Sequence, residues 1–499
     1  MSIVFTKSAN GEATCSYNSI RLHSAYNPSR EAERFVHSVS CDFNPKYILV
    51  TGAALSYCAI YFKKYFPLSI LCAVQFSKDF SIAEKLWSKT FYTSDSDVPL
   101  SEQIYSFMGE EGIVSCFFTS WQPSEKAFPD ENEYAWKQIK NAVVKSRNVL
   151  ATRSFFAKRW VKNSMRFCLF ARKTCGIRKG SAPVIICASG PSLESSLQYI
   201  KQYRNSFFLI AVSSAMYPLT ANGIKPDLCV STDGGYWAKH HLSHAFVGSS
   251  EIPVALSAES ACYAKIMDSL TILPLDYGDG ISETFLKKFS FESIKAYRNG
   301  TVSGTAVQLA MSLTTAPVFF CGLDLAPSKE YAHTQPNELE IFNMQSDNRL
   351  RPLETRIYPS SLNSPSLNIY RSWFASSDFM GRVYRLSAGY NYRNTLGKVQ
   401  DVDWSFFDSH TKDSGVVMPK IFPTERSFNF KERFTQIKDT VASNINNKEW
   451  IREAVPADYI VYERSAGMES EAAASKKVQA DMQTFYKDIM RSFILPKDE

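Results

Sequence analysis

The stretch Pro183–Ser192, PVIICASGPS, decides the fold. A short apolar run ends in Ala188-Ser189-Gly190-Pro191-Ser192, and a helical pattern starts at Leu193. Buried parallel strands read as such runs. The turn then feeds a helix N-terminus, where free backbone N–H groups and the macrodipole favour an anion. Gly190 permits close approach to the main chain, Pro191 suits a first helical turn, and Ser192 or Ser189 is the expected cap. The turn is neither a Walker loop nor a GxGxxG fingerprint.

The neighbouring segments repeat the pattern. FFLIAVS (Phe207–Ser213) predicts a second buried strand, with Ser214 capping a short helix that ends near Asn222-Gly223. A third strand, Leu228–Thr232, runs into Asp233-Gly234-Gly235. This alternation implies a parallel sheet with right-handed crossovers. Further on, Asn299-Gly300-Thr301-Val302-Ser303-Gly304-Thr305 opens a helix, and PVFFCGLD (Pro317–Asp324) gives a strand that ends in Gly322-Leu323-Asp324. Ligands of such sheets sit beyond the carboxyl ends of the strands. One crevice there would gather Ser189, Gly190, Ser213, Ser214, Thr232 and Asp233.

Together, "VIICASGPSLE", "AVSSAMYPLTANGIKPDLCVSTD" and "NGTVSGTAVQLAMSL…VFFCGLDLA…AHT" resemble the central domain of the motility accessory factor (Maf) flagellin glycosyltransferases. That domain is akin to MptE-like 6-hydroxymethylpterin diphosphokinases and similar to bacterial sialyltransferases that use CMP-sialic acid. The resemblance spans roughly residues 150–400. It implies transfer of a nonulosonic acid of the pseudaminic or legionaminic type from a CMP-activated donor to Ser or Thr of flagellin. Carried over, it places Ser189, Gly190, Pro191, Ser192, Ser213, Ser303 and Gly304 on the donor, and His333 and Asp324 in the chemistry; the strand ends and the helix start add Thr232, Asn299, Gly300, Thr301 and Gly322 to the donor side and Asp233 to the candidate catalytic residues. Ser387, Gly389 and Tyr390 would lie on the acceptor side, in the segment Ser387-Ala388-Gly389-Tyr390-Asn391. Two departures stand out. Ala188-Ser189-Gly190 replaces the Gly-Asn-Gly of the sialyltransferases, and the glutamate usual in the 387–391 segment is missing.

Transfer of this kind needs a base for the acceptor hydroxyl and stabilisation of the departing phosphate. The transition state is oxocarbenium-like, as in glycoside hydrolysis. A histidine with a near-neutral pKa suits the base or acid role, and His333 follows Asp324 across a short Pro-Ser-Lys-Glu loop. Asp233 has three open readings: orienting the sugar, holding a divalent ion, or capping its Asp-Gly-Gly turn. His240, His241 and His244 read as an exposed helix face rather than a metal site, since no HExxH-type partner accompanies them.

The rest of the chain frames this domain. It has 499 residues, 45% hydrophobic and 21% charged, which excludes a disordered chain and implies several domains. Its eleven cysteines are scattered without a CxxC pair, as in a reducing compartment. Neither a signal peptide nor a membrane-length apolar run is evident, so a cytoplasmic location without membrane partners is expected.

The expected fold class is α/β. Residues 1–130 read as a smaller Rossmann-like domain, degenerate because only Gly52 follows its first strand and Gln75 stands where an acidic ribose ligand would be. A basic helical linker (131–180) follows, then the Rossmann-like central domain (181–423) and a helical C-terminal domain (424–499). The thirteen Lys and Arg between Lys137 and Lys179, with no acid among them, are read as a solvated face or as an electropositive wall for an anionic donor. No motif supports nucleic-acid binding. Residues 326–370 read as an insertion near the site, a candidate lid. Two other functions stay open: a diphosphokinase-like phosphotransferase using Mg2+ on Asp233 and Asp324, and a non-catalytic flagellin-binding protein. No other cofactor is implied.

Overall fold

A computed structural model describes residues 3–94, 98–247, 250–326, 331–357, 365–387, 389–391, 393–411, 415–424 and 429–494. The chain packs as two compact units. One comprises residues 1–157 and 445–485, the other 158–444 and 486–499. The expected boundaries shift accordingly. The basic linker is one helix, Pro129–Phe170, whose residues are shared between the units, and the C-terminal helices are likewise divided. Among the described residues no helix is long and apolar enough to cross a membrane.

The first unit opens with a three-stranded antiparallel sheet, β1 (Val4–Lys7), β2 (Ala13–Tyr17) and β3 (Ile20–Arg21). A parallel sheet follows: β4 (Tyr47–Thr51), β5 (Ile70–Gln75), β6 (Lys89–Tyr92) and β7 (Cys116–Ser120), in the order β6-β5-β4-β7. The turn after β4 is filled by protein. Gln75 donates from Nε2 to the Ala54 carbonyl and to Ser56 Oγ, and the Trp87 indole donates to the same hydroxyl. A Cβ on Gly52 would lie 2.6 Å from the Phe76 ring.

The second unit is built on one large sheet. Its strands are β8 (Lys173–Arg178), β9 (Val184–Cys187), β10 (Phe208–Val212), β11 (Leu228–Ser231), β14 (Val254–Ser257), β15 (Thr271–Asp276), β16 (Ile294–Lys295), β17 (Val318–Cys321), β18 (Val383–Leu386), β19 (Gln400–Val402) and β20 (Lys420–Thr424). A small ribbon, β12 (Phe246–Val247) with β13 (Ser250–Glu251), stands apart. The order is β19-β18-β17-β9-β10-β11-β14-β15-β8-β20, with β16 against β15. Every pairing is parallel except β20 with β8. The central strands are buried along their whole length, which is why they read as unbroken apolar runs.

From β9 the chain walks one way through β10, β11, β14 and β15. It then returns to place β17 on the other side of β9 and walks outward to β18 and β19. The strand order therefore reverses between β9 and β17, the switch point where open α/β sheets bind ligands. The helix Val302–Leu313 packs under β9, β10, β11 and β17 and runs back from the carboxyl edge. Its first turn therefore lies on that edge.

Gly322 ends β17 with φ +74°, and a Cβ there would sit 2.2 Å from the Ala188 carbonyl oxygen. Only glycine satisfies both the left-handed backbone and this contact. Gly322→Ala is expected to cost about 1–3 kcal/mol or more and to lower Tm by several degrees. Gly389→Ala, where nothing lies within 4 Å, should leave Tm unchanged. Thermal melts of the two variants check this.

Candidate active site

The turn after β9 and the end of β17 are locked together. Gly190 N–H donates to the Gly322 carbonyl at 2.8 Å, and Ser192 N–H donates to Asp324 Oδ2 at 2.9 Å. The Asp324 carboxylate thus takes the helix-start position expected for a bound anion, and it corrects the expectation of a serine cap. Ser192 makes no side-chain cap of the helix Leu193–Gln202. A Cβ on Gly190 would fall 2.6 Å from Asp324 Oδ2, so glycine is required here too.

Asp324 is 3% exposed. Burial pushes its carboxyl above the usual range, against the pull of Ser192, Arg385 and Arg393. Its Oδ1 is buried and has no hydrogen-bond partner among the described residues.

His333 reaches the same place through its neighbour. Thr334 N–H donates to the Ser189 carbonyl at 2.8 Å, and Thr334 Oγ1 donates to the Gly190 carbonyl at 2.7 Å. His333 Nδ1 is buried without a hydrogen-bond partner among the described residues. Burial, aided by nearby His241, lowers the His333 pKa, while Glu340 and Glu338 oppose the fall. The ring is held neutral. The Pro327–Glu330 loop before it lies outside the described residues.

The corner after β10 joins this one, since Ser214 Oγ donates to Ser189 Oγ at 2.9 Å. Ser213 is 3% exposed at the strand end. Ser214 does not cap the helix Met216–Ala221 as expected; a 3-10 turn, Ser213–Ala215, leads into it. After β11, Asp233 Oδ1 accepts the Gly235 N–H at 2.7 Å, the turn-capping geometry among its three readings. The Thr232 hydroxyl faces Tyr277.

Thr301 caps its helix by accepting the Ser303 N–H, and Asn299 Nδ2 is committed to Gln308 Oε1 at 2.7 Å. The helix Pro365–Ser376, which starts within the segment read as an insertion and runs past its expected end at 370, covers this corner. Tyr370 lies 3.0 Å from the Cβ position of Gly300 and Trp373 lies 3.2 Å from that of Gly304, while Ser303 is buried. Burial and then the Asp233 charge raise the Tyr370 pKa, so the β11 corner and this helix start meet at one side chain. Residues 358–364 of the insertion lie outside the described residues.

Four adjacent strand ends, β17, β9, β10 and β11, thus carry the selected residues along one edge, spanning about 14 Å at ~4.8 Å per strand. Asp233 and Asp324 stand at opposite ends of that row, too far apart to share one Mg2+ at ~2.1 Å.

Before the segment Ser387–Asn391, Arg385 is fully buried. It donates to both Asp401 oxygens and to the Leu323 and Asn394 carbonyls. Asn394 N–H and Nδ2 bind the Asp324 and Leu325 carbonyls, so the segment after β18 folds back onto the β17 end. Ser387 Oγ donates to Asp401 and is buried, Gly389 is open, and Tyr390 N–H donates to the Ser387 carbonyl. Ala388 lies outside the described residues.

The sequence reading did not single out Glu338, and it took the histidine helix as exposed. Instead His241 is 9% exposed, with Nδ1 2.6 Å from Glu338 Oε2, and His244 Nε2 lies 3.1 Å from Glu338 Oε1. Burial alone would raise the Glu338 pKa, but the two histidines hold it down at about 2.

With this geometry in view, the comparisons with known proteins bear on the fold. Residues 158–330 match the family model described as 6-hydroxymethylpterin diphosphokinase MptE-like. The matched residues lie within the second unit. The whole chain is similar in fold to a Maf glycosyltransferase from Magnetospirillum magneticum AMB-1, with TM-score 0.51 and 11% identity over 98% of this chain and 92% of that one. Two uncharacterized proteins of Treponema pallidum (strain Nichols) are also similar. One is 29% identical over 54% of this chain and 58% of its own length, the other 23% identical over 36% and 32%. The match thus spans about half or less of these relatives.

Two outcomes are expected. Arg385→Met would take the bidentate partner from Asp401, which keeps Arg393 and Ser387, and would remove the Arg385 donors from the Leu323 and Asn394 carbonyls; it should cost about 1–3 kcal/mol or more, read as a fall in Tm, and Arg385→Lys cannot restore the fork. Glu338, depressed from 4.5 to about 2, contributes stability that is complete above pH 4.5 and lost as pH falls towards 2. Glu338→Gln should therefore flatten the dependence of Tm on pH across that window.

Proposed function

We propose that this chain is a flagellin O-glycosyltransferase that moves a nonulosonic acid from a CMP-activated donor to a Ser or Thr hydroxyl. The observation that carries the reading is the set of buried polar atoms at the switch point that make no hydrogen bond among the described residues, Asp324 Oδ1, Ser192 Oγ and His333 Nδ1. Buried polar atoms are rarely left unpaired, and each one calls for an explanation such as strain, an ordered water, a bound ligand or a catalytic role. The MptE-like domain and the whole-chain likeness to a Maf glycosyltransferase support the same reading.

In this reading the donor lies along the row of strand ends. Its phosphate and ribose lie by Ser189, Gly190, Pro191, Ser192 and Ser213, with Gly322 behind them. Because Asp324 already occupies the helix start, it meets the nucleotide as a buried carboxylate whose Oδ1 accepts hydrogen bonds from donor groups of the guest. Neutral His333 offers one lone pair and one N–H to hydroxyl or phosphate oxygens. Asp233, Thr232 and the turn Asn299–Gly304 line the far end of the row, with Tyr370 and Trp373 as a cover. Ser387, Gly389 and Tyr390 bound the acceptor side. The reaction needs no metal ion in this scheme, and its setting is the cytoplasm.

The phosphotransferase alternative needs two carboxylates on one ion, which the separation of Asp233 and Asp324 disfavours. Melting shifts separate the readings. CMP alone should stabilise the chain, by RT ln(1 + [L]/Kd), and ATP with Mg2+ should not. The intact mass of co-expressed flagellin should rise with the wild-type chain. Asp324→Asn and His333→Gln should reduce sugar addition about 100-fold or more. Full glycosylation by both variants would remove these residues from the site.

A further inference from the structure

Three histidines and a carboxylate gather on the carboxyl edge beside His333, and the donor reading leaves them unused. His241 ends a short helix, Ala238–His241, that follows the β11 corner. Glu338 belongs to the segment that carries His333, where Asn337 caps the helix Glu338–Met344 by accepting the Leu339 N–H. The contact between His241 Nδ1 and Glu338 Oε2, at 2.6 Å, therefore ties the β11 corner to the β17 corner.

The Glu338 carboxylate can only accept, so Nδ1 carries the proton and the lone pair is left on Nε2. Among the described residues Nε2 makes no hydrogen bond. A carboxylate fixing Nδ1–H and leaving Nε2 bare is the base–orienter pair of activated hydroxyl chemistry.

Resting on the glycosyltransferase reading, we infer that His241 is the general base for the acceptor hydroxyl and that Glu338 is its positioning residue. The acceptor O–H proton passes to His241 Nε2 as the oxygen bonds the anomeric carbon of the sugar. The bond from that carbon to the phosphate oxygen breaks, and its electron pair leaves with CMP. His333 then stays on the donor side, where burial keeps it neutral. The groups around His241 are Lys239, His240 and His244 on its own segment and His333, Glu338 and Glu340 on the facing one. Of these, Glu338 is the acid in direct contact with it.

The test uses the purified full chain, CMP-nonulosonic acid and flagellin, with CMP binding measured in parallel by calorimetry. His241→Gln should lose transfer about 100-fold or more while CMP binding stays at the wild-type level. Added imidazole should restore part of the rate to His241→Ala. Glu338→Gln should lower kcat while KM and CMP binding stay at the wild-type level, and Glu338→Asp should restore part of the rate. A merely structural role for Glu338 would lower Tm and CMP binding together with the rate. Near wild-type transfer by His241→Gln, or an unchanged kcat in a folded Glu338→Gln, overturns the inference. Failure of the wild-type chain to bind CMP or modify flagellin overturns the underlying reading instead.

Discussion

The carboxylate of Asp324 on the amide of Ser192 is the contact around which the second unit is organised. It joins the strand on one side of the switch point to the helix that starts on the other. It requires glycine at position 190, since a larger residue would strike the carboxylate, and the neighbouring close approach requires glycine at 322. It also sets the electrostatics. The positive end of the helix is answered by a residue of the protein, so an incoming nucleotide meets a buried acid group and backbone edges rather than a bare helix terminus.

The supporting contacts follow from this arrangement. Arg385 is buried because it must hold three separate pieces: the carbonyl of Leu323, that of Asn394 and the Asp401 carboxylate. A guanidinium supplies enough donors in one plane to do so. On the other flank, Glu259 accepts from Arg298 through both oxygens and from Ser282, below the helix start at Thr301. Ionic pins therefore hold both flanks of the row of strand ends.

Much of this was legible in the sequence. Buried parallel strands must be apolar on both faces, so VIIC, FLIAV, LCVS and VFFC stand out without help from alternation. The turns between them are marked by Gly, Ser and Asp. The clustering of the strand ends followed from topology. The partners of each side chain did not, because they come from distant segments. Asp324 caps a helix 132 residues earlier, and Glu338 binds a histidine 97 residues away. A serine beside a helix start reads as its own cap until the competing carboxylate is known. His241 reads as exposed because its short helix has no apolar periodicity to reveal a buried side. The division of the C-terminal helices between two units has the same origin: their local pattern is helical, and only packing says with what.

Thr334 uses its amide and its hydroxyl on consecutive carbonyls of the Ser189–Gly190 turn. Two carbonyls of the turn are thereby spent within the protein. The amides of Gly190 and Ser192 are spent as well, on Gly322 and Asp324, so recognition along this turn falls largely to side chains. The same double stitch makes the turn and the histidine segment one mechanical element, so neither can shift without drawing the other along.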